Sequence, residues 1–204
     1  MSLVVHIAGF WPAKNNYAGK MSAVHIKEPI MTREELIKRV KETSYLEGDF
    51  TLRSGKKSKY YMDKYLFETC PDVLTALGEE FAKHVTDDVT LIAGAELGGV
   101  ALAASTSMAS GINWLIVRNS KKGYGTGKMV EGVIKEGDVV LLVEDIATTG
   151  GQVVEAAKII NDAGASVKEI VCVIDRKQGA RENITKAGFT FDSIMTKEDL
   201  GIVD

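Results

Sequence analysis

Short apolar runs alternate with helical patterns between residues 89 and 175, and this alternation constrains the fold more than any other feature. Four runs have the length and β-branched composition of buried strands, namely VTLIAGA, NWLIVR, DVVLLVED and VKEIVCVID. Helical patterns in GGVALAASTSMAS and GQVVEAAKIINDAG follow the first and the third run. Strands separated by helices of this length require right-handed crossovers. The sequence therefore predicts an α/β fold, with a mostly parallel central sheet flanked by helices.

The segment before this alternation predicts two helices and a hairpin. Thr32 and Glu35 have the spacing of a capping box ahead of REELIKRVKET, and DVLTALGEEFAKHV has apolar residues at helical spacing. Between them, GDFTLRSGKKSKYYMDKYLF predicts two short strands around a turn at Ser54 and Gly55. Residues 1–30 are interpreted as an N-terminal extension of unknown role, and residues 31–204 as a single domain.

The composition argues against several classes of partner. The 25 basic and 28 acidic residues give a net charge of −3, which is unfavourable for a general nucleic-acid or membrane-surface binder. The longest apolar runs are too short to span a membrane. Cys70 and Cys172 are far apart, and neither they nor the three histidines have metal-ligand spacing. This cysteine usage fits a cytoplasmic protein.

The segment VVLLVEDIATTGGQ, residues 139–152, carries the strongest chemical signal. Glu144 and Asp145 stand at the carboxyl end of a predicted strand, where open α/β sheets bind ligands. The small residues that follow open a helix, whose first N–H groups favour a phosphate. Carboxylates beside a phosphate would repel it, but they can accept hydrogen bonds from sugar hydroxyls. The segment therefore predicts a site for a ribose 5-phosphate.

The acidic pair directly before Thr-Thr-Gly-Gly resembles the signature of the type I phosphoribosyltransferases, which bind phosphoribosyl pyrophosphate (PRPP) there. Four further segments are similar to this family in the expected order, over most of residues 31–204: the hairpin GDFTLRSGKKSKYYMDKYLF, the pyrophosphate loop GAELGGVALA, the mobile loop VRNSKKGYGTGKMVEG, and DRKQGARE. The resemblance implies the type I phosphoribosyltransferase fold. A small hood would be formed by the hairpin region, residues 31–65, and by the C-terminal tail.

Within this family, the segments match the members that use orotate. The resemblance implies that the 5-phosphoribosyl group moves from PRPP to orotate, giving orotidine 5-monophosphate and pyrophosphate in UMP biosynthesis. Mg²⁺ would be bound through PRPP, with no direct protein ligand. The resemblance further implies a homodimer whose mobile loop reaches the partner's site, and no nucleic-acid or membrane partner.

The resemblance also assigns roles to individual residues. The catalytic residues would be Lys122, Asp145, Glu144 and Arg53. Orotate would be bound by Thr148, Arg176, Tyr61 and Met62. PRPP would be bound by Gly98, Gly99, Arg118, Asn119, Lys121, Lys122, Tyr124, Glu144, Asp145, Ile146, Ala147, Thr148, Thr149, Gly150, Gly151 and Gln152.

Some positions depart from the family pattern. Asn119 stands where many members have a second basic residue, and Tyr124 replaces the usual loop histidine. Arg53 replaces a lysine, and Met62 replaces one ring of an aromatic pair that flanks orotate. Two alternatives follow: a phosphoribosyltransferase for another base, or a non-catalytic sensor of PRPP. Gly98 and Gly99 would bind pyrophosphate, or would only let a helix and a strand pack closely.

Overall fold

The computed structural model describes residues 31–51, 55, 57–120 and 128–202. Its first element is helix α1 (Arg33–Ser44), and the predicted capping box is formed at its start. The hydroxyl of Thr32 accepts a hydrogen bond from the backbone N–H of Glu35 at 3.2 Å, and Glu35 Oε2 accepts one from the Thr32 N–H at 2.8 Å. Both donors would otherwise be unpaired, which explains why the helix begins here.

The predicted hairpin is confirmed, but its second strand is shorter than the sequence segment assigned to it. Strands β1 (Tyr45–Thr51) and β2 (Lys57–Met62) pair antiparallel. The chain then leaves the hairpin because Asp63 accepts a hydrogen bond from the backbone N–H of Tyr65 and caps helix α2 (Lys64–Glu68). Helix α3 (Pro71–Ala82) follows with proline in its first turn, as predicted.

The remaining chain forms the predicted mostly parallel sheet, with six strands in the order β5-β4-β3-β6-β7-β8. All neighbouring strands are parallel except β4 and β5. The elements are β3 (Leu91–Ala95), α4 (Gly99–Ser110), β4 (Trp114–Val117), β5 (Val130–Glu131), β6 (Val139–Ala147), α5 (Gly151–Asp162), β7 (Ser166–Asp175), α6 (Ala180–Lys186) and β8 (Phe191–Thr196).

Hydrophobic clusters cover both faces of this sheet. One contains residues of α1, α3 and α4, together with Leu200 and Ile202 near the end of the described chain, and the other contains residues of α5 and α6. The segment after β8 also contacts α1 through Arg33, whose Nη2 lies 3.1 Å from Asp199 Oδ2. The N-terminal and C-terminal segments therefore pack together. Among the described helices, none has the length and hydrophobicity needed to span a membrane.

Candidate active site

The carboxyl end of β6 opens into a cavity of about 220 Å³. Its lining consists of Lys64 from α2 and residues 144–153, which include the last residues of β6, the turn and the start of α5. Glu144 and Asp145 lie within β6, three and two residues before its end. The parallel neighbours β3 and β7 end at the same edge, so loops from three strands can reach one ligand.

The turn between β6 and α5 lines this cavity. Gly150 adopts a left-handed conformation at φ 76°, and no side chain caps the first turn of α5. A Cβ at Gly150 would lie 2.8 Å from Ile184 Cγ1, so the position requires glycine for both its φ and its packing. Asn183 Nδ2 donates a hydrogen bond to the carbonyl of Thr149 at 2.9 Å and fixes the turn from α6. The uncapped helix start is suited to a phosphate.

The acidic pair differs in how its two members are engaged. Asp145 is 1% exposed, and its Oδ2 lies 2.6 Å from Lys64 Nζ. Glu144 Oε2 is buried and has no hydrogen-bond partner among the described residues. Burial, with the neighbouring Asp145 charge, raises the pKa of Glu144 well above its usual value. The unpaired Oε2 of Glu144 can therefore hydrogen-bond to a hydroxyl group that enters the cavity, donating while it holds a proton and accepting once it is ionised.

The loop between β3 and α4 packs directly against this pair. A Cβ at Gly98 would lie 1.5 Å from Asp145 Oδ2, and a Cβ at Gly99 would lie 2.9 Å from the carbonyl oxygen of Val143. Close packing of loop and strand is therefore one reason for both glycines. The binding of pyrophosphate by their amides stays a prediction.

A polar network joins three loops at the edge of the sheet. Asn119, just after β4, donates its backbone N–H to Glu96 Oε2 at 3.0 Å and its Nδ2 to the Glu96 carbonyl at 2.7 Å. Gln152 in the first turn of α5 donates to Asn119 Oδ1 at 2.9 Å. Arg118 Nη1 lies 3.6 Å from Glu131 and 3.9 Å from Glu96. Asn119 therefore joins the loops by hydrogen bonds, and a basic side chain would lack the acceptor that Asn119 Oδ1 offers to Gln152.

The structure separates the two residues predicted to flank the base. Tyr61 and Met62 are neighbours in β2 and so point to opposite faces of the hairpin. Met62 is 9% exposed and lies in the hydrophobic core, whereas Tyr61 is 43% exposed and packs on Phe50 at 5.6 Å between ring centroids. Strand alternation therefore places Met62 in the core, and the binding of orotate by Tyr61 and Met62 stays a prediction.

Tyr60 lies beside Arg176 instead. The Arg176 guanidinium donates a hydrogen bond to the Tyr60 hydroxyl at 3.3 Å, and the Tyr60 ring stacks on Tyr45. The backbone N–H of Arg176 donates to the carbonyl of Ala147 at 2.9 Å, which holds Arg176 next to the turn between β6 and α5. Sequence reasoning did not select Tyr60, although strand alternation from the core residue Met62 identifies it as sharing that face.

Sequence reasoning also did not select Lys64 and Glu68. Both belong to α2 and approach Asp145 from outside the sheet. A helix of five residues has too few positions for a periodic pattern, so nothing in the local sequence distinguishes these side chains from surface charges. Four predicted site residues, Arg53, Lys121, Lys122 and Tyr124, lie outside the described residues.

Comparison with known proteins agrees with this geometry. Residues 72–202 match the phosphoribosyl transferase domain family. Orotate phosphoribosyltransferase of Methanocella arvoryzae is 42% identical over 167 residues, which cover 81% of this chain and 95% of the relative. The crystal structure of Mycobacterium tuberculosis orotate phosphoribosyltransferase with Fe(III) dicitrate is 32% identical and superposes with a TM-score of 0.77, covering 83% of this chain and 99% of that chain.

A second structure of the M. tuberculosis enzyme, in complex with PRPP, superposes with a TM-score of 0.73 at 30% identity and covers 83% of this chain and 99% of that chain. The predicted type I phosphoribosyltransferase fold is thereby confirmed. With this identity over most of its length, the chain belongs to the orotate phosphoribosyltransferases of the phosphoribosyl transferase domain family.

Proposed function

We propose that this protein transfers the 5-phosphoribosyl group of PRPP to orotate, releasing pyrophosphate and forming orotidine 5-monophosphate for UMP biosynthesis. One observation carries the proposal: a single cavity places the carboxyl groups of Glu144 and Asp145 beside the uncapped start of α5. The helix start would bind the 5-phosphate, and the carboxyl groups would accept the ribose hydroxyls. M. tuberculosis orotate phosphoribosyltransferase has been crystallised with PRPP, which supports the choice of ligand.

The same residues would favour the chemical step. As pyrophosphate departs, positive charge develops at the ribose ring, and a negative charge on the acidic pair would stabilise it; Glu144 would contribute only in its ionised form. Lys122 would stabilise the departing pyrophosphate, and Arg53 would add positive charge beside it. Arg176 would bind the orotate carboxylate through two parallel hydrogen bonds, held in place by Tyr60.

The proposal includes Mg²⁺ as an ion carried by PRPP. In the described part of the chain, the group of three potential metal ligands in mutual reach is His84, Glu169 and Asp192, none of which lines the cavity. In this proposal the ion enters the site with its substrate. When bound, Mg²⁺ neutralises charge on the pyrophosphate.

The proposal also includes a cytoplasmic homodimer, with the loop of one protomer reaching the site of the other. Cys70 and Cys172 are free thiols, and a reducing cytoplasm keeps thiols in this state. Analytical ultracentrifugation tests the dimer, and mixing Lys122→Ala protomers with Asp145→Asn protomers tests the shared site. Activity recovered by the mixture requires that one site draws residues from two chains.

The decisive experiment follows orotate consumption with PRPP, with and without Mg²⁺. We expect turnover that requires Mg²⁺ and that falls by about 100-fold in Lys122→Ala. Lys158→Ala is the matched control, since Lys158 is an exposed lysine of α5 paired with Glu155 at 2.7 Å. The absence of turnover with folded protein at high concentration would contradict the proposal. Turnover with a purine instead would identify another base, and PRPP binding without any turnover would identify a sensor.

A further inference from the structure

Glu68 places a third carboxyl group against the acidic pair. It is the last residue of α2, is 5% exposed, and its Oε1 has no hydrogen-bond partner among the described residues. A Cβ built on Gly98 would lie 3.0 Å from Glu68 Oε1 and 1.5 Å from Asp145 Oδ2. Two carboxyl groups from different elements therefore converge on one point beside the pyrophosphate loop.

The charges around this point do not balance if all the acids are ionised. Asp145 and Glu144 approach from β6, while Glu68, Asp63 and Lys64 approach from α2 and its cap. Lys64 is the cation among these groups, and its Nζ lies 2.6 Å from Asp145 Oδ2. A buried carboxylate that contacts a second carboxylate without its own cation is strongly unfavourable. Burial and the Asp145 charge raise the pKa of Glu68 to about 8.

We propose that Glu68 is a positioning residue that carries a proton in the free protein and donates it in a hydrogen bond to Asp145. Lys64 and Glu68 lie four residues apart on α2 and thus face the same way. Lys64 and Glu68 both contact the Asp145 carboxylate from the side of α2. These contacts fix the orientation of the carboxylate toward the proposed ribose site. Glu68 thus requires a proton of its own, beside the one that burial favours on Glu144, and Glu68 need not touch the substrate.

The consequence for binding rests on the proposed function, since it concerns PRPP. When Glu68 loses its proton, the hydrogen bond to Asp145 is replaced by repulsion, and the site gains negative charge against an anionic ligand. PRPP binding then weakens. Because linkage is reciprocal, PRPP must bind the proton-carrying form more tightly and must raise the proton affinity of Glu68. Glutamine at this position keeps a donor for Asp145 but cannot ionise.

The first experiment measures the proton directly in the full chain without ligand. Infrared difference spectra across the pH range around 8 should show the loss of a carboxylic-acid C=O band in the wild-type protein. Glu68→Gln should lack this component. Glu155→Gln, which removes an exposed carboxylate of α5, should keep it. Identical spectra of the wild-type protein and Glu68→Gln would overturn the proposal. This result does not depend on any enzymatic activity, so it is separable from a failure of the proposed function.

The second experiment measures PRPP binding by calorimetry over the same pH range. We expect wild-type affinity to fall by about fivefold or more on ionisation of Glu68, and Glu68→Gln affinity to lack this fall. In steady-state assays the change should appear in KM for PRPP and not in KM for orotate. Parallel pH profiles of the two proteins would overturn the proposal. If Glu68→Gln does not fold, the wild-type protein still decides: PRPP must shift the infrared titration to higher pH, and an unshifted midpoint counts against the proposal.

Discussion

Lys64 Nζ lies 2.6 Å from Asp145 Oδ2, and this ion pair ties the short helix after the hairpin to the acidic pair of β6. The Asp145 side chain is 2% exposed, whereas that of Lys64 is 34% exposed. The lysine therefore reaches from the cavity rim to a carboxylate that water scarcely contacts. In this way helix α2 contributes a side chain to the cavity lining.

Replacing Lys64 with methionine should reduce both stability and PRPP affinity. The change leaves a buried carboxylate without its cation, but water at the rim relieves part of the penalty. We therefore expect the free energy of unfolding to fall by about 2 kcal/mol, between the values for surface and for fully buried pairs. Urea unfolding measures the first effect, and calorimetry with PRPP measures the second.

Lys168→Met is the control for this prediction. Lys168 Nζ lies 2.8 Å from Asp88 Oδ2, but both side chains are about half exposed. The same chemical change should therefore cost less than about 1 kcal/mol and leave PRPP affinity unchanged. An equal loss of stability in both variants would show that the burial of Asp145 does not increase the contribution of the Lys64–Asp145 ion pair to the free energy of unfolding.

Substitution by alanine should change stability in opposite directions at Gly98, beside Asp145, and at Gly151, in the cavity lining. Gly98→Ala places a methyl group on the Asp145 carboxylate, so we expect the free energy of unfolding to fall by about 1–3 kcal/mol. PRPP affinity should fall as well. Gly151→Ala meets no atom closer than 3.9 Å at the start of α5. Its stability should be retained or increased by up to about 1 kcal/mol, because alanine favours a helix. Its methyl group should still weaken PRPP binding at the phosphate turn.

Thermal unfolding and PRPP calorimetry on the two variants separate packing from ligand approach. Gly188→Ala serves as a reference for backbone strain, since Gly188 has φ 90° and open space around its Cα. Wild-type PRPP affinity in Gly151→Ala would contradict the assignment of this turn to the phosphate.

Arg176→Lys should act on orotate and spare PRPP. Lysine cannot make two parallel hydrogen bonds to a carboxylate, and it cannot keep the guanidinium contact with the Tyr60 hydroxyl. We expect KM for orotate to rise by about tenfold or more, the equivalent of one charge-assisted hydrogen bond, with KM for PRPP unchanged. Tyr60→Phe should show the same selectivity with a smaller effect.

Arg181→Lys is the matched control for Arg176. Arg181 lies near the start of α6 and contacts the Phe191 carbonyl and the Asp192 side chain, outside the cavity. Its substitution should leave both KM values unchanged. A rise in KM for PRPP that equals the rise for orotate in Arg176→Lys would place this arginine at a different ligand group.

The parts of the fold that follow local rules could be predicted from the sequence. The capping box at Thr32, the hairpin and the alternating strands and helices each rest on residues close together in the chain. The acidic pair and the glycine turn are equally local, because one strand and its turn carry them. The sequence alone therefore predicts a candidate site at the end of β6 and in the turn that follows it.

The contacts between distant segments could not be predicted in this way. Lys64 and Glu68 reach Asp145 only because α2 folds back onto the sheet. A five-residue helix is too short for a periodic pattern that would predict which of its faces packs there. Tyr61 and Met62 were paired by position in the family, whereas strand alternation sends them to opposite faces. Burial and pairing across the fold decide such roles, and neither is a property of a local segment.

Glu68 makes stability depend on pH in a way that its glutamine variant should not share. The pKa of Glu68 is raised from 4.5 to about 8. Between these two pH values the native protein therefore holds a proton that the unfolded chain has already released. The contribution of this proton is therefore complete below pH 4.5 and is lost as the pH rises to about 8. Relative to the wild-type protein, Glu68→Gln should gain stability steadily across this window and then level off.

Asp72 provides a control of opposite sign. Its hydrogen bond from Arg39 lowers the pKa of Asp72 below the ordinary value of 3.8, so its contribution is present above that pH and is lost as the pH falls. Wild type should thus be more stable than Asp72→Asn near neutral pH, and this difference should vanish in acid. Glu68→Gln should instead become more stable than wild type as the pH rises toward 8, and this difference should also vanish in acid. Urea midpoints measured across a pH series test both trends. Parallel curves for wild type and Glu68→Gln would mean that the Glu68 carboxyl ionises equally in the folded and unfolded chain.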